Sequence, residues 1–193
     1  MGKKILLVED ESIIRMDLKV ILETEGYEVI EEANNGEKAV ELALTLKPDI
    51  ILMDIKMPKI DGLKASRIIG KQLDVPIVII TAYSQKEFIE KAQQDNIVGY
   101  IVKPISKENL IPAIEIALHQ AEKKKALQDD IILAKEEVKH RKLIEKAKGI
   151  VMDRKQYSEQ EAFTFMRENS MKHRMSMYEL SEKIIKQNEK TKN

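Results

Sequence analysis

Short apolar runs alternate with amphipathic stretches through the first 120 residues. Lys4–Val8 is a run of β-forming residues. Ser12–Thr24 carries Ile13, Ile14, Leu18, Ile21 and Leu22 at helical spacing, and Gly26 closes it. Residues 28–30 predict a short second strand. Gly36–Leu46 predicts a second helix with Ala39, Val40, Ala43 and Leu46 inside. Residues 49–53 form a continuous apolar strand, residues 63–73 a helix, and residues 76–80 a fourth strand. Residues 85–94 read as another helix and residues 99–102 as a fifth strand. Ser106 can cap a helix that runs through Leu110, Ile114 and Leu118. The order is (βα)5. Apolar strands alternating with helices predict an α/β fold, a doubly wound parallel sheet covered on both faces.

The pattern then changes. All five prolines and six of the seven glycines lie in the first 112 residues, and the only breaker after Pro112 is Gly149. Residues 106–150 therefore read as one nearly continuous helix. Within it Leu127, Ile131, Ala134 and Val138 are spaced four, three, four, a seam of two heptads that Ala117, Ala121 and Lys124 extend weakly backward. Such a seam pairs either with a second chain or with the final helices of its own. Ser158 and Glu161 have the spacing of a capping box, and Ala162, Phe163, Phe165 and Met166 supply an apolar stripe behind it. A turn near 169–174 precedes a last helix bearing Met177, Leu180, Ile184 and Ile185. The expected layout is an α/β domain over 1–120, a coiled-coil-like helical linker over 121–135, and an all-α three-helix domain over 136–190.

Composition narrows the chemistry. The 193 residues hold no cysteine, which excludes disulfides, thiol catalysis and zinc–thiolate sites. His119, His140 and His173 have no metal-ligand spacing. No stretch approaches the ~20 apolar residues that span a bilayer, and the apolar run at the start is too short for a leader. The expectation is a cytoplasmic chain with no membrane partner. Net charge is zero but divided: residues 1–120 carry 15 − 20 = −5, and residues 121–193 carry 18 − 13 = +5. An acidic part joined to a basic part predicts two jobs, the second compatible with a polyanion.

Ligands of such sheets bind at the carboxyl ends of the strands. Glu9 and Asp10 follow the first strand, Asp54 the third, Thr81 the fourth and Lys103 the fifth. Three clustered carboxylates repel one another or demand a cation, and all-oxygen ligands suit Mg²⁺. A carboxylate is itself a nucleophile for phosphoryl transfer, a reaction that needs its oxygens neutralised. Mg²⁺ and Lys103 can supply that charge, and Thr81 can donate a hydrogen bond. Each residue alone would be an ordinary turn or solvated strand end; five in this order are chemically complete for phosphorylation at Asp54.

The runs Val8-Glu9-Asp10-Glu11, residues 54–62 (Asp-Ile-Lys-Met-Pro-Lys-Ile-Asp-Gly), Thr81-Ala82 and Lys103-Pro104 resemble the CheY-like receiver domain of bacterial response regulators over about residues 3–120. The resemblance implies that Asp54 accepts phosphate from the phosphohistidine of a cognate sensor histidine kinase. It implies Mg²⁺ held by Glu9, Asp10 and Asp54 with the main-chain carbonyl of Lys56, and contacts from Thr81 and Lys103 to the phosphoryl group. Tyr100 falls where the family keeps an aromatic switch residue; by itself it reads as a half-buried strand tyrosine. The leading acidic pair is Glu-Asp, where the family has Asp-Asp.

Arg141, Lys142, Lys146, Lys148, Arg154 and Lys155 crowd the second part, and Arg167, Lys172 and Arg174 follow. The run 141–152 (Arg-Lys-Leu-Ile-Glu-Lys-Ala-Lys-Gly-Ile-Val-Met), with Ser158-Glu159-Gln160-Glu161-Ala162-Phe163, Met166-Arg167 and Ser170-Met171, is similar to the ANTAR domain, an RNA-binding module of transcription antitermination regulators. The likeness spans about residues 130–188. It implies that these basic residues face an mRNA leader with tandem hairpins, held so that a terminator stem cannot form; two hairpins call for two domains, so the expectation is a homodimer assembled on phosphorylation. Backbone contacts would make binding salt-dependent, and Tyr157 and Tyr178 are candidates for stacking on unpaired bases. The two-domain layout looks like the antiterminator regulators of ethanolamine-utilisation operons. The competing readings are a protein-interaction adaptor and a DNA-binding regulator, although no helix-turn-helix pattern stands out. No catalytic constellation follows residue 120, so the expectation is a phosphoacceptor and not an enzyme.

Overall fold

A computed structural model describes residues 2–82 and 96–190, and the helix expected over 85–94 lies outside them. The chain divides into two compact units, Met1–Lys125 and Ala126–Asn193.

In the first unit the strands β1 (Lys4–Val8), β2 (Glu28–Ala33), β3 (Ile50–Asp54), β4 (Ile77–Thr81) and β5 (Ile97–Val102) form one sheet in the order β2-β1-β3-β4-β5. Every pairing is parallel. The alternation of side chains across each strand divides the core in two. Ile5 and Leu7, Ile50 and Leu52, Val78 and Ile80 face Leu18 and Leu22 of helix α1 (Ser12–Thr24) and Leu110 and Ile114 of helix α4 (Lys107–Lys155). Leu6 and Val8, Ile51 and Met53, Ile77 and Ile79 face Ala39 and Ala43 of α2 (Gly36–Leu46) and Ala65 and Ile69 of α3 (Gly62–Gly70). Strands wetted on neither face are necessarily apolar throughout, which is why β3 and β4 read as unbroken runs. Asn35 caps α2 by accepting the Lys38 N–H at 3.0 Å, and Asp61 caps α3 by accepting that of Lys64 at 2.8 Å.

The helix expected over 106–150 is real and longer. Helix α4 passes through Pro112, which forgoes one backbone hydrogen bond in its second turn, and through Gly149. It stops only where Gln156 turns left-handed (φ 54°) and the Tyr157 N–H reaches back to the Met152 carbonyl at 3.2 Å. Ala117, at the weak start of the expected seam, is instead fully buried in the sheet core. Residues 126–142 are exposed on every side, leaving Leu127, Ile131 and Val138 more than half exposed.

The second unit packs the end of α4 against α5 (Glu159–Lys172) and α6 (Met177–Lys190). Ala147 and Val151, Ala162 and Met166, and Ile185 form its buried centre. Ser158 and Glu161 make the expected capping box. Helix α5 runs to Lys172, into the turn expected near 169–174, then ends as α4 does, with Arg174 left-handed (φ 51°) and the Met175 N–H on the Ser170 carbonyl at 3.0 Å.

Candidate phosphoacceptor site and basic helical face

The strand order reverses between β1 and β3, and the carboxyl edge of the sheet at such a reversal is where ligands of these folds bind. Glu9 leaves β1 there, fully buried; Asp54 ends β3, 4% exposed; Asp10 faces solvent. One carboxylate oxygen from each of the three lies within 4.8 Å of the others. Lys103 enters from the end of β5. Its Nζ stands 2.9 Å from Glu9 Oε2, 3.3 Å from Asp54 Oδ1 and 3.9 Å from Glu11 Oε1. Its backbone N–H donates to the Thr81 carbonyl at 2.8 Å, which registers the lysine against the end of β4. Thr81 itself is buried. The five residues converge on one edge.

Burial pushes the Glu9 and Asp54 carboxyls above the ordinary carboxylate range, and the Lys103 ammonium pulls both back. Burial also disfavours the Lys103 charge, but its close contact with the Glu9 carboxylate and the charge of Asp54 outweigh it and leave its pKa raised. Three carboxylates against one ammonium leave 3 − 1 = 2 negative charges. Glu9 Oε2 is buried with the Lys103 charge beside it and no well-directed hydrogen bond. A divalent cation with oxygen preference meets both demands, so the residues present fit Mg²⁺. The Lys56 backbone N–H donates to the Asp54 carboxylate. Tyr100 lies opposite Ile79 on β5 and is 56% exposed.

The basic candidates of the second unit separate into two groups. Arg141, Lys142, Lys146, Arg154, Lys155, Arg167, Lys172 and Arg174 are exposed. Lys148 is not: its side chain is 11% exposed and pairs with Glu145 and Glu159 at 2.7 Å each. It braces α4 against the start of α5, so its cation is already engaged. Tyr178 stacks on His140 with centroids 4.0 Å apart and donates to Glu182 at 2.9 Å. Tyr157 is half-buried, edge-on to Phe165 at 6.0 Å.

The response regulator receiver domain family matches residues 5–115, and the ANTAR domain family matches residues 134–185. The transcriptional regulatory protein PdtaR of Mycobacterium tuberculosis is 39% identical over 183 residues, covering 95% of this chain and 89% of its own. The chain belongs to the ANTAR-type response regulators. The signal receiver domain of a modulated diguanylate cyclase from Desulfovibrio desulfuricans superposes with a TM-score of 0.60 at 33% identity, over 64% of this chain and 99% of its own. A CheY of Borrelia burgdorferi, solved in a CheX–CheY–BeF3–Mg²⁺ complex, gives 0.55 at 26% identity, over 58% and 86%. As a receiver–ANTAR protein it is a two-component, RNA-binding antitermination regulator with an acidic receiver pocket. None of its described helices is long and apolar enough to cross a membrane.

Several supports of this regulator's receiver site escaped the sequence pattern. Arg15 donates to the Glu9 carbonyl at 2.6 Å and pairs with Glu32 at 3.1 Å, while Lys19 takes the other Glu32 oxygen at 2.7 Å. This brace fixes the backbone at the acidic pair. Its signal, Arg15 and Lys19 one turn apart on α1, was hidden behind the apolar stripe. Gly62 backs directly onto the Asp54 carbonyl, and any Cβ there would collide with it. Lys59 holds a left-handed φ of 69° in the loop between them and pairs with Glu37 at 2.9 Å.

Proposed function

We propose that this regulator is switched by phosphorylation of Asp54 and that the switched form dimerises and grips paired hairpins in a nascent mRNA. The observation that carries the reading is a pre-assembled acidic and lysine site joined in one chain to an ANTAR unit through an exposed apolar seam. An Asp54 oxygen attacks the phosphorus of a partner kinase's phosphohistidine, the P–N bond breaks, and the imidazole nitrogen leaves with its electron pair. Glu9, Asp10 and Asp54 would hold Mg²⁺, which supplies charge neutralisation to the phosphoryl oxygens. Lys103 is released from its carboxylates to the new phosphate, and Thr81 donates a hydrogen bond to it. The chain acts on no other substrate; its reactions are taking and losing this phosphate.

Leu127, Ile131 and Val138 lose their exposure when two linkers pair. Each ANTAR unit then meets one hairpin, and joining two weak sites raises the apparent affinity through effective concentration. Exposed Lys and Arg supply the salt-dependent backbone contacts. Held hairpins keep a terminator stem from forming, in the cytoplasm where the transcript is made.

The test is sedimentation of the full chain with and without a small phosphodonor and Mg²⁺, then with labelled two-hairpin RNA added. The reading expects a donor-dependent dimer that carries one RNA per two chains. A dimerisation constant blind to phosphate contradicts it. Ile131→Asp, exposed in the single chain, should leave the fold intact and abolish the dimer.

A further inference from the structure

The second unit contains a pocket of about 350 Å³ between the start of α5 and the turn that precedes it. Its size is at the low end of small-ligand sites. Tyr157 and Phe165 form one wall, edge to face. Glu161, Thr164, Phe165 and Glu168 fall at i, i+3, i+4 and i+7, so they present one side of α5 to the space. Glu161 is committed to the capping box through the Ser158 N–H and hydroxyl. Gln160 and Glu168 are not: both side chains are exposed and neither has a partner among the described residues. Lys155 Nζ lies over the two rings, 4.6 Å from the Phe165 centroid and 5.7 Å from that of Tyr157.

An aromatic wall, a free carboxylate, a free amide and a cation on an exposed side chain meet here on one helix face. A phosphate cannot enter, because Glu161 and Glu168 would repel it. An aliphatic side chain would leave the carboxylate and amide dry and unmatched. A flat ring that carries a hydrogen-bonding edge satisfies every group. We infer that this pocket receives one unpaired RNA base bearing an exocyclic amino group, read by Glu168 and Gln160 and stacked on the Phe165 ring that Tyr157 meets edge-on. The inference rests on the RNA-binding reading above and says where the loop is read. The Glu168 carboxylate accepts the amino N–H, as carboxylates do from cytosine, and the Gln160 amide takes the neighbouring ring position. Uracil has no amino group and would face the carboxylate with a carbonyl. The exposed Lys155 swings off the rings as the base arrives, and its ammonium meets the phosphate of the same nucleotide.

The experiment uses hairpin RNAs with one fixed stem and a fully randomised loop. They are selected on the phosphodonor-treated full chain, on Glu168→Gln and on Gln160→Ala, and bound loops are sequenced. Both substituted residues are exposed, so the fold does not depend on them; Phe165→Leu is added as an affinity variant, checked by circular dichroism. The wild type should disfavour uracil about tenfold at one loop position. Glu168→Gln should lose that discrimination at that position alone, and Phe165→Leu should weaken all loops about tenfold. If the wild type selects a loop and all variants select it equally well, the pocket assignment falls while RNA binding stands. If no chain selects any loop, the RNA reading falls and the inference with it.

Discussion

Lys103 is the residue on which the receiver site balances. It is the cation that lets Glu9 and Asp54 stay buried side by side, at 2.9 and 3.3 Å. Lys103→Met removes it and leaves two desolvated carboxylates facing each other. Stripping one partner from a buried ion pair destabilises by about 3–5 kcal/mol. We expect a loss near the lower figure, because 16% of the lysine side chain still touches water. Mg²⁺ should restore much of it, and so should mild acid, since both carboxyls already titrate above their ordinary range. Urea unfolding with and without Mg²⁺ measures this, and a metal-independent loss would refute the charge account. Glu32 behaves in the opposite sense. The hydrogen bond from Lys19, with that from Arg15, holds its carboxyl below the ordinary value. A depressed carboxylate stabilises the fold above its unfolded pKa of about 4.3, and that stability is lost as pH falls through the folded value. Glu32→Gln should therefore cost up to about 1 kcal/mol at neutral pH, a cost that shrinks as pH falls below the ordinary carboxylate value and through the lowered folded one. Thermal unfolding of both proteins across that range decides it.

At the scale of elements, Gly149 sits inside a helix with no atom within 4 Å of where a Cβ would point, so nothing in the fold requires glycine there. Gly149→Ala should stabilise the chain by about 0.5–1 kcal/mol, read as a higher urea midpoint. If the second unit uses the bare backbone at Gly149 to approach RNA, affinity falls while stability rises. The same elements show what a sequence can and cannot disclose. The strands were legible because burial on both faces forbids polar positions; Ile50–Asp54 and Ile77–Thr81 admit almost none. The capping box at Ser158 was legible because its chemistry is local. The ends of α4 and α5 were not. Each stops on a left-handed residue, but Gln156 and Arg174 stand where glycine usually signals the turn. The site residues could be read because each is among the first polar residues where an apolar strand ends. The Arg15–Glu32–Lys19 brace could not, because it joins a helix face to the next strand and no spacing records that. Lys148 shows the converse: in sequence it is one more cation in a basic run, and only packing reveals that Glu145 and Glu159 have taken it.

The whole molecule divides its charge between two units that have different work. The acidic unit, at −3 over residues 1–125, holds a site that needs added positive charge; the basic unit, at +3 over residues 126–193, meets an anion. The central claim is that chemistry at Asp54 in one unit governs RNA binding by the other. Gel-shift titration of a two-hairpin leader RNA against a scrambled control tests this directly, with and without a small phosphodonor and Mg²⁺, using wild type and Asp54→Ala. The account predicts selective binding that tightens at least tenfold with the donor, as expected when two weak sites are joined. It predicts no donor effect in Asp54→Ala. Binding that is equally tight in all four conditions, or absent from all four, would contradict it.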